Sequence, residues 1–286
     1  MTLTRLKTSL SISIVCYNSP KEQLLALLAS LLKSILRARN TFDLSVTQIY
    51  LIDNSCQMCF DPKDFETQRL AFEDCQLTLN YFHGHGNIGY GKAHNLVLGK
   101  LNSCFHLILN PDIVVDKEAL LESIRTLTTD SKIAMLSPSA VDFSGKKQHL
   151  CKRYPTIFIL FVRGFLSPNL KKLFSRRLKE YEMHDLSENN LTEGIPLISG
   201  CFMFVRTEFF KSITGFDKKY FLYFEDFDLS LRISMLGKLV FSPKVRISHG
   251  GGNTSEKGFW HRYNFIRSGF RFFNTHGWSF YKNQDV

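Results

Sequence analysis

Small polar and branched apolar residues alternate along "LSISIVC" (residues 10–16), the period-2 pattern of a strand with one buried face. Ser19 and Pro20 follow, with proline suited to a first helical turn. Leu24, Leu28, Leu31 and Ile35 then recur at helical spacing. "VTQIYLIDNS" (46–55) and "LTLNYFH" (77–83) predict a second and a third strand. The turn "GHGNIGYGKAHN" (84–95) leads into a short helix. "CFHLILNPDIVV" (104–115) predicts a fourth strand, broken at Asn110, Pro111 and Asp112. "KEALLESIRTLTTD" predicts a helix and "IAMLSP" a further strand. Strands and helices in alternation argue for an α/β fold with a mostly parallel sheet. Polar residues recur at strand ends: Asn18, Asp53, Asn87 and Asp112. In open α/β sheets the carboxyl ends of the strands line the ligand crevice.

After about residue 150 the pattern changes. Residues 153–190 are basic, irregular and weakly helical, and read as an excursion from the sheet. "PLISGCFMFVRTEFFKSITGFD" returns to a strand and a short helix, and "KLVFSPKVRISHGGG" to a late strand with a loop. Phe259, Tyr263, Ile266, Phe270 and Phe273 fall at helical spacing near the end, with Arg262, Arg267 and Arg271 between them. This predicts a helix that either packs on the main domain or lies on an anionic membrane face.

Composition narrows the class. With 286 residues, 44% of them hydrophobic, the chain can bury a sizeable core. A net charge of +10 points to an anionic partner. No nucleic-acid-binding signature accompanies it. Seven scattered cysteines fit reduced thiols, and the single CxxC at Cys56 and Cys59 lacks the second pair of a zinc site. The N-terminus shows no small-residue cleavage site, and the longest apolar run, within "TIFILFV", is too short to span a bilayer. The expected location is cytoplasmic, free or peripheral at the inner face of the plasma membrane.

Several residues invite a chemical reading beside a plainer one. Asp53 can accept the imide N–H of a pyrimidine, or close an Asx turn. Asn18 can bond a ribose or base, or cap a helix. Gly89 and Gly91 let backbone approach a ligand closely, or form a tight turn. Asp112 ends a buried strand, where an unpaired carboxylate is expensive; it holds a cation or caps a turn. "YFLYFEDFDLSLRI" (220–233) sets Glu225, Asp226 and Asp228 behind an aromatic run. They serve a reaction, or simply start a helix. Asp228 and Arg232, four apart, suit a structural ion pair.

The motifs "SIVCYN", "YLIDNS", "GNIGYGKAHN", "LNPDIVV", "SGCFMFVRTEFFKSITGFDKKYFLYFEDFDLSLRISMLGK" and "ISHGGGNTS" fall in one order over about residues 10–275. In this the chain resembles the family 2 glycosyltransferases of the GT-A fold, and within them the bacterial rhamnosyltransferase-like group. The resemblance implies a GT-A domain over residues 1–250, with a donor half near 10–140 and an acceptor half near 150–250. A C-terminal aromatic-basic segment follows over 251–286. It implies an inverting transfer from a nucleotide sugar, dTDP- or UDP-linked and foremost dTDP-rhamnose. The acceptor implied is a saccharide carried on a lipid diphosphate, in surface polysaccharide or O-antigen synthesis. Asn87 and Asn95 look like donor contacts, and Asn110 stands where the family has the first Asp of its DxD element. Asp112 and His249 would hold Mg²⁺ or Mn²⁺. Asp226 would be the general base, with Glu225 positioning the acceptor, and the glycines after His249 would close over the donor. The alternatives are a transferase for another UDP- or dTDP-sugar, a nucleotidyltransferase, whose Gly-rich triphosphate loop "CYNSPKEQ" does not supply, and a non-catalytic binder.

Overall fold

The computed structural model describes residues 6–251 and 258–281. The first half alternates β1 (Lys7–Cys16), α1 (Lys21–Arg39), β2 (Asp43–Asp53), α2 (Glu66–Asp74), β3 (Leu77–Phe82), α3 (Tyr90–Asn95), β4 (Phe105–Leu109), β5 (Ile113–Val115), α4 (Ala119–Thr129) and β6 (Ile133–Val141). The second half adds β7 (Lys147–Gln148), β8 (Cys151–Lys152), α5 (Ile157–Phe165), α6 (Pro168–Leu173), α7 (Ser175–Tyr181), β9 (Thr192–Glu193), β10 (Leu197–Ile198), β11 (Phe202–Arg206), α8 (Thr207–Ser212), α9 (Glu225–Ser234), β12 (Lys238–His249) and α10 (Phe259–His276).

The main sheet runs β3-β2-β1-β4-β11-β6-β12-β5, with β7 beside β6 and β9 beside β12. The first four strands are parallel, and β11 enters antiparallel between β4 and β6. The expected fourth strand is two strands. Asn110, Pro111 and Asp112 leave β4 at the sheet centre, and β5 pairs with β12 near the far edge. Proline at residue 111 supplies no ladder donor, so pairing stops there.

Period-2 alternation feeds two cores, one on each sheet face. Phe105, Leu107 and Leu109 of β4 join Phe202 and Phe204 on the face covered by α1 and α4. Ile108, Met203 and Val205 point to the other face. A third cluster contains no strand of the main sheet. Tyr154, Leu160, Tyr181, Phe224, Phe272 and Phe273 bind α5, α7, α9 and α10 to one another. The basic excursion is thus three short helices with a core of their own.

α10 is one continuous helix, with one face packed on the domain and another exposed. Ser268, Phe272 and Phe273 are buried, and the Ser268 hydroxyl donates to Leu222 O at 2.8 Å. Phe259, Tyr263, Ile266 and Phe270 are exposed. Phe273 is 2% exposed, so it belongs to the core and not to the outer stripe.

Candidate active site

The carboxyl ends of β1, β4, β6 and β12 and the start of α9 face one cavity of about 1230 Å³. Asn18, Asn54, Asn87, Gly89, Asn110, Asp112 and His249 line it, and so do Glu225 and Asp226. Asp53, Gly91 and Asn95 are not among the lining residues.

The reasons for those three exclusions are local. Asp53 is fully buried beneath the loop of Cys56 and Cys59. Its Oδ1 accepts from Ser55 N–H (3.1 Å), and its Oδ2 from Cys59 N–H (3.0 Å) and the Tyr81 hydroxyl (3.2 Å). The bond to Ser55 is the Asx turn. Burial pushes the carboxyl up, but the hydrogen bonds from Cys59 and Ser55 outweigh it and hold Asp53 below its usual value. A pyrimidine imide reaches Asp53 only by displacing one of these donors. Asn95 staples a loop: its amide donates to Phe216 O (2.8 Å) and its carbonyl accepts from Phe216 N–H (3.0 Å). A Cβ on Gly91 would lie 2.7 Å from Phe216 Cβ, so that glycine serves helix packing. Gly89 has φ +91°, and a Cβ there would sit 2.3 Å from Phe221 O. The close approach it permits is to the aromatic run before Glu225, which Tyr90 N–H also bonds through Phe221 O (3.1 Å).

The strand-end amides form a connected rim. Asn54 donates to Asn87 Oδ1 (3.1 Å), which also accepts from Gly89 N–H (3.1 Å). Asn54 Oδ1 accepts from Ile88 N–H (3.2 Å), and Asn18 N–H donates to Ser55 Oγ (2.9 Å). Asn54 is a cavity residue that the sequence did not single out. Its neighbours Asp53 and Asn87 carried the same signal of a polar group closing a strand.

β5 brings the metal candidates together. Its antiparallel register sets Ile113 opposite His249, which places Asp112 beside that imidazole. His249 Nε2 lies 3.5 Å from Asp112 Oδ2. His249 Nδ1 is 2.7 Å from Gln148 Oε1, a bond that assigns the proton to Nδ1 and leaves Nε2 with its lone pair toward Asp112. Burial lowers the His249 pKa, against the raising effect of Asp112. Asp112 Oδ1 is buried with no hydrogen-bond partner among the described residues. An orphaned carboxylate oxygen beside a free imidazole lone pair fits a hard divalent ion. No group of three or more His, Cys, Asp or Glu side chains is arranged around a common point among the described residues, so the remaining ligands would be donor oxygens and water. Gln148 is a functional candidate that the sequence did not indicate. The glycine-rich loop expected to close over the donor continues into residues 252–257, outside the described residues.

The three acids divide between the two readings offered for them. All three lie in the first turn of α9, where acids are favoured. Asp228 is 2% exposed and bonds Arg232 (2.7 Å) and His276 (2.8 Å), while Arg232 also donates to Gly215 O (2.9 Å). It is structural and ties α9 to α10. Asp226 faces the cavity, with Oδ2 accepting from Gly200 N–H and Oδ1 from Phe227 N–H, both at 2.9 Å. Burial raises its pKa, and those two bonds oppose the rise. Glu225 is 5% exposed and its Oε2 has no partner among the described residues; burial, then the Asp226 charge, push it up to about 8.

Tyr223 (φ 70°) and Phe224 (φ 63°) precede the pair in the left-handed region, which costs a non-glycine residue roughly 1–2 kcal/mol. α10 holds them there. The Tyr223 hydroxyl bonds His261 Nδ1 (3.0 Å), and the Phe224 ring packs on Phe265, Phe272 and Gly269.

Known proteins resemble this chain in both sequence and fold. No protein-family model matches it. Rhamnosyltransferase WbbL of Escherichia coli K12 is 26% identical over 227 residues, covering 73% of this chain and 80% of that protein. The N-acetylglucosaminyl-diphospho-decaprenol L-rhamnosyltransferase of Mycobacterium tuberculosis is 24% identical over 177 residues, 57% of this chain and 56% of that one. Among solved structures, GalNAc-T7 with UDP, GalNAc and Mn²⁺ superposes with a TM-score of 0.59 at 18% identity, covering 85% of this chain and 43% of that one. The fold is therefore GT-A. The likeness to family 2 glycosyltransferases of the rhamnosyltransferase-like group, read from the motifs, is borne out by these relatives.

Proposed function

We propose that the chain is an inverting glycosyltransferase, moving L-rhamnose from dTDP-rhamnose to a saccharide acceptor carried on a lipid diphosphate. The observation that carries this reading is the meeting, in one GT-A cavity, of the Asp112–His249 pair with the Glu225–Asp226 pair. One pair suits a leaving diphosphate and the other an attacking hydroxyl.

The donor lies along the amide rim of Asn18, Asn54, Asn87 and Asn110. Asp112 and His249 would hold Mg²⁺ or Mn²⁺, which when bound supplies positive charge to the leaving nucleoside diphosphate. Asp226 takes the proton from the acceptor hydroxyl as its oxygen bonds the anomeric carbon and the sugar–phosphate bond breaks on the opposite face. A single displacement of this kind inverts the anomeric centre. A raised pKa makes Asp226 a stronger base while it stays ionised, and the Gly200 and Phe227 amides keep it oriented. Glu225, neutral over a wider pH range, donates a hydrogen bond to the acceptor from its buried carboxyl.

A donor screen that measures nucleoside diphosphate release, with and without Mg²⁺ or Mn²⁺, tests the proposal. dTDP-rhamnose should be used best, with release abolished in EDTA. Turnover of another UDP- or dTDP-sugar in its place would keep the transferase and replace the donor. Release of no nucleoside diphosphate from any sugar nucleotide would sink the transferase.

A further inference from the structure

The acceptor end of the cavity holds cations that the transfer step does not use. Lys152 on β8, Arg163 on α5 and Tyr181 at the end of α7 all line it, as do His149, Glu182 and His184. Lys152 is 6% exposed, and its Nζ donates one bond, to His149 O at 2.6 Å. Its nearest carboxylate oxygen, Glu182 Oε1, is 3.8 Å away. Arg163 Nε lies 3.7 Å from the same oxygen. Two basic side chains thus share one carboxylate, and neither is within hydrogen-bonding distance of it.

The hydroxyl between them is also uncommitted. Tyr181 is 2% exposed, and its Oη has no hydrogen-bond partner within normal geometry among the described residues. The His149 and His184 rings stack at 3.5 Å along the rim. A buried ammonium whose counter-ion stands 3.8 Å off is only partly compensated, and a buried hydroxyl without a partner of normal geometry adds to the cost. Two cationic groups and a hydroxyl around the single carboxylate of Glu182 leave donors in excess, which suits an anion, and the planar guanidinium of Arg163 suits phosphate oxygens in pairs. The cluster neighbours the base, since the Arg163 charge acts on Asp226. α5 also exposes Phe161 and Phe165, each 51% exposed, beside the cavity that Arg163 lines.

We propose that Lys152, Arg163 and Tyr181, rimmed by His149 and His184, form a second anion subsite that binds the diphosphate of a lipid-linked acceptor, apart from the donor diphosphate. This rests on the transferase reading above. An acceptor sugar with its hydroxyl at Asp226 carries its own diphosphate about one sugar ring away. The name of the mycobacterial relative describes an acceptor of this chemistry.

Calorimetric titration with farnesyl diphosphate, in Mg²⁺ and saturating dTDP, tests the subsite. Binding should persist under saturating nucleotide, while farnesol should not bind. Arg163→Gln and Lys152→Met should each weaken it by tenfold or more, with dTDP affinity unchanged and Arg163→Lys recovering part of the loss. Arg163 is half-exposed, so Arg163→Gln remains informative if Lys152→Met fails to fold. Displacement of farnesyl diphosphate by dTDP, or equal affinity in Arg163→Gln, overturns the subsite. Transfer assays separate this from the reading beneath it. If no donor supports transfer, the transferase reading falls, while weakened binding in Arg163→Gln still supports the anion site. If transfer proceeds and Arg163→Gln keeps the parent KM for a diphosphate-linked acceptor, the subsite fails alone.

Discussion

The two ends of the cavity treat their polar groups differently. At the proposed donor end several side chains are already bonded to their own scaffold: Asn54 to Asn87 and Ile88, and His249 to Gln148. Asp112 Oδ1 has no partner among the described residues. At the acceptor end Glu225 Oε2 and the Tyr181 hydroxyl have no partner among the described residues, and Lys152 and Arg163 stand off from Glu182. A rim of satisfied amides is rigid and shaped in advance. Unsatisfied buried groups are costly alone and gain most when a ligand arrives. On the proposed function, the difference separates a preformed nucleotide cradle from a pocket that its acceptor would complete.

The largest effect that would break this division lies at Asp226. Asp226→Asn keeps the shape and removes the basicity. Transfer should slow by roughly 10²–10⁴-fold, the usual size of a general-base contribution. Donor binding should hold, because Asp226 is at the other end of the cavity. Asp228→Asn should do the reverse: it leaves Arg232 and His276 without their charge partner and should lower stability by about 3–5 kcal/mol. Rapid transfer by Asp226→Asn with an inert but well-folded Asp228→Asn would put the base on the wrong carboxylate. Single-turnover rates with denaturation midpoints give both answers.

How much of this was legible in the sequence follows the same division. The donor half is built from local signals, alternating strands that end in polar residues, and Asn18, Asn87, Asn110 and Asp112 line the cavity as expected. Asp53 carried the same signal but turns inward, because a strand-end polar group can serve its own loop as readily as a ligand; Asn95, put forward by the resemblance, ends α3 and bonds Phe216 instead. Sequence order could not show that β5 leaves β4 to pair with β12, which alone sets Asp112 beside His249. The acceptor half is assembled from β8, α5, α7 and the residues after it, so the grouping of Lys152, Arg163, Tyr181 and His184 has no period to read. The aromatic run before Glu225 looked apolar without purpose; its backbone strain and the α10 clamp appear only in three dimensions.

Proton linkage should sharpen the contrast, because His106 and Glu225 respond to pH with opposite sign. In the donor half His94 and His106 are fully buried and bridged by Ser13 Oγ, at 2.7 Å and 2.9 Å. Burial lowers both, His106 to about 3. A depressed histidine leaves stability intact above the unfolded value near 6.5. Below it the unfolded chain binds the proton first, and about 1.4 kcal/mol is lost per pH unit, or about 2 kcal/mol for His106 at pH 5. Glu225, raised to about 8, contributes in the other direction. Its stabilisation is full below the unfolded value near 4.5 and fades as pH rises toward 8. Urea midpoints of parent, His106→Gln and Glu225→Gln separate the terms. His106→Gln should flatten the acid limb and Glu225→Gln the alkaline one. Parallel curves for all three proteins would remove the contrast.

The smallest expected effect concerns the outside of the acceptor half. Tyr263, Ile266 and Phe270 on α10 are 54–60% exposed, with Arg262 and Arg267 exposed among them. The stripe continues through ring contacts: Phe270 edge-on to Trp278 at 5.3 Å, Trp278 stacked on Phe280 at 5.8 Å, and Phe158 tilted against Tyr281 at 5.4 Å. Arg177 lies over Tyr281 at 4.0 Å, which joins the stripe to α6 and α7, where Leu170 and Leu173 are exposed beside Lys171 and Lys172. No helix among the described residues is long and apolar enough to cross a membrane. Exposed aromatics flanked by cations on short helices suit the surface of an anionic bilayer instead, which is where a lipid-linked acceptor would be met. Co-sedimentation should be strong with vesicles containing phosphatidylglycerol, weak with phosphatidylcholine alone, and reduced as salt rises. Arg267→Ala should weaken it by about 1 kcal/mol, roughly fivefold, as expected for one basic residue at a charged surface. Phe270→Ser should lower binding to both vesicle types by removing apolar contact. Equal binding to charged and neutral vesicles, or no change in Arg267→Ala, would leave the stripe as exposed surface and confine the acceptor half's role to the cavity.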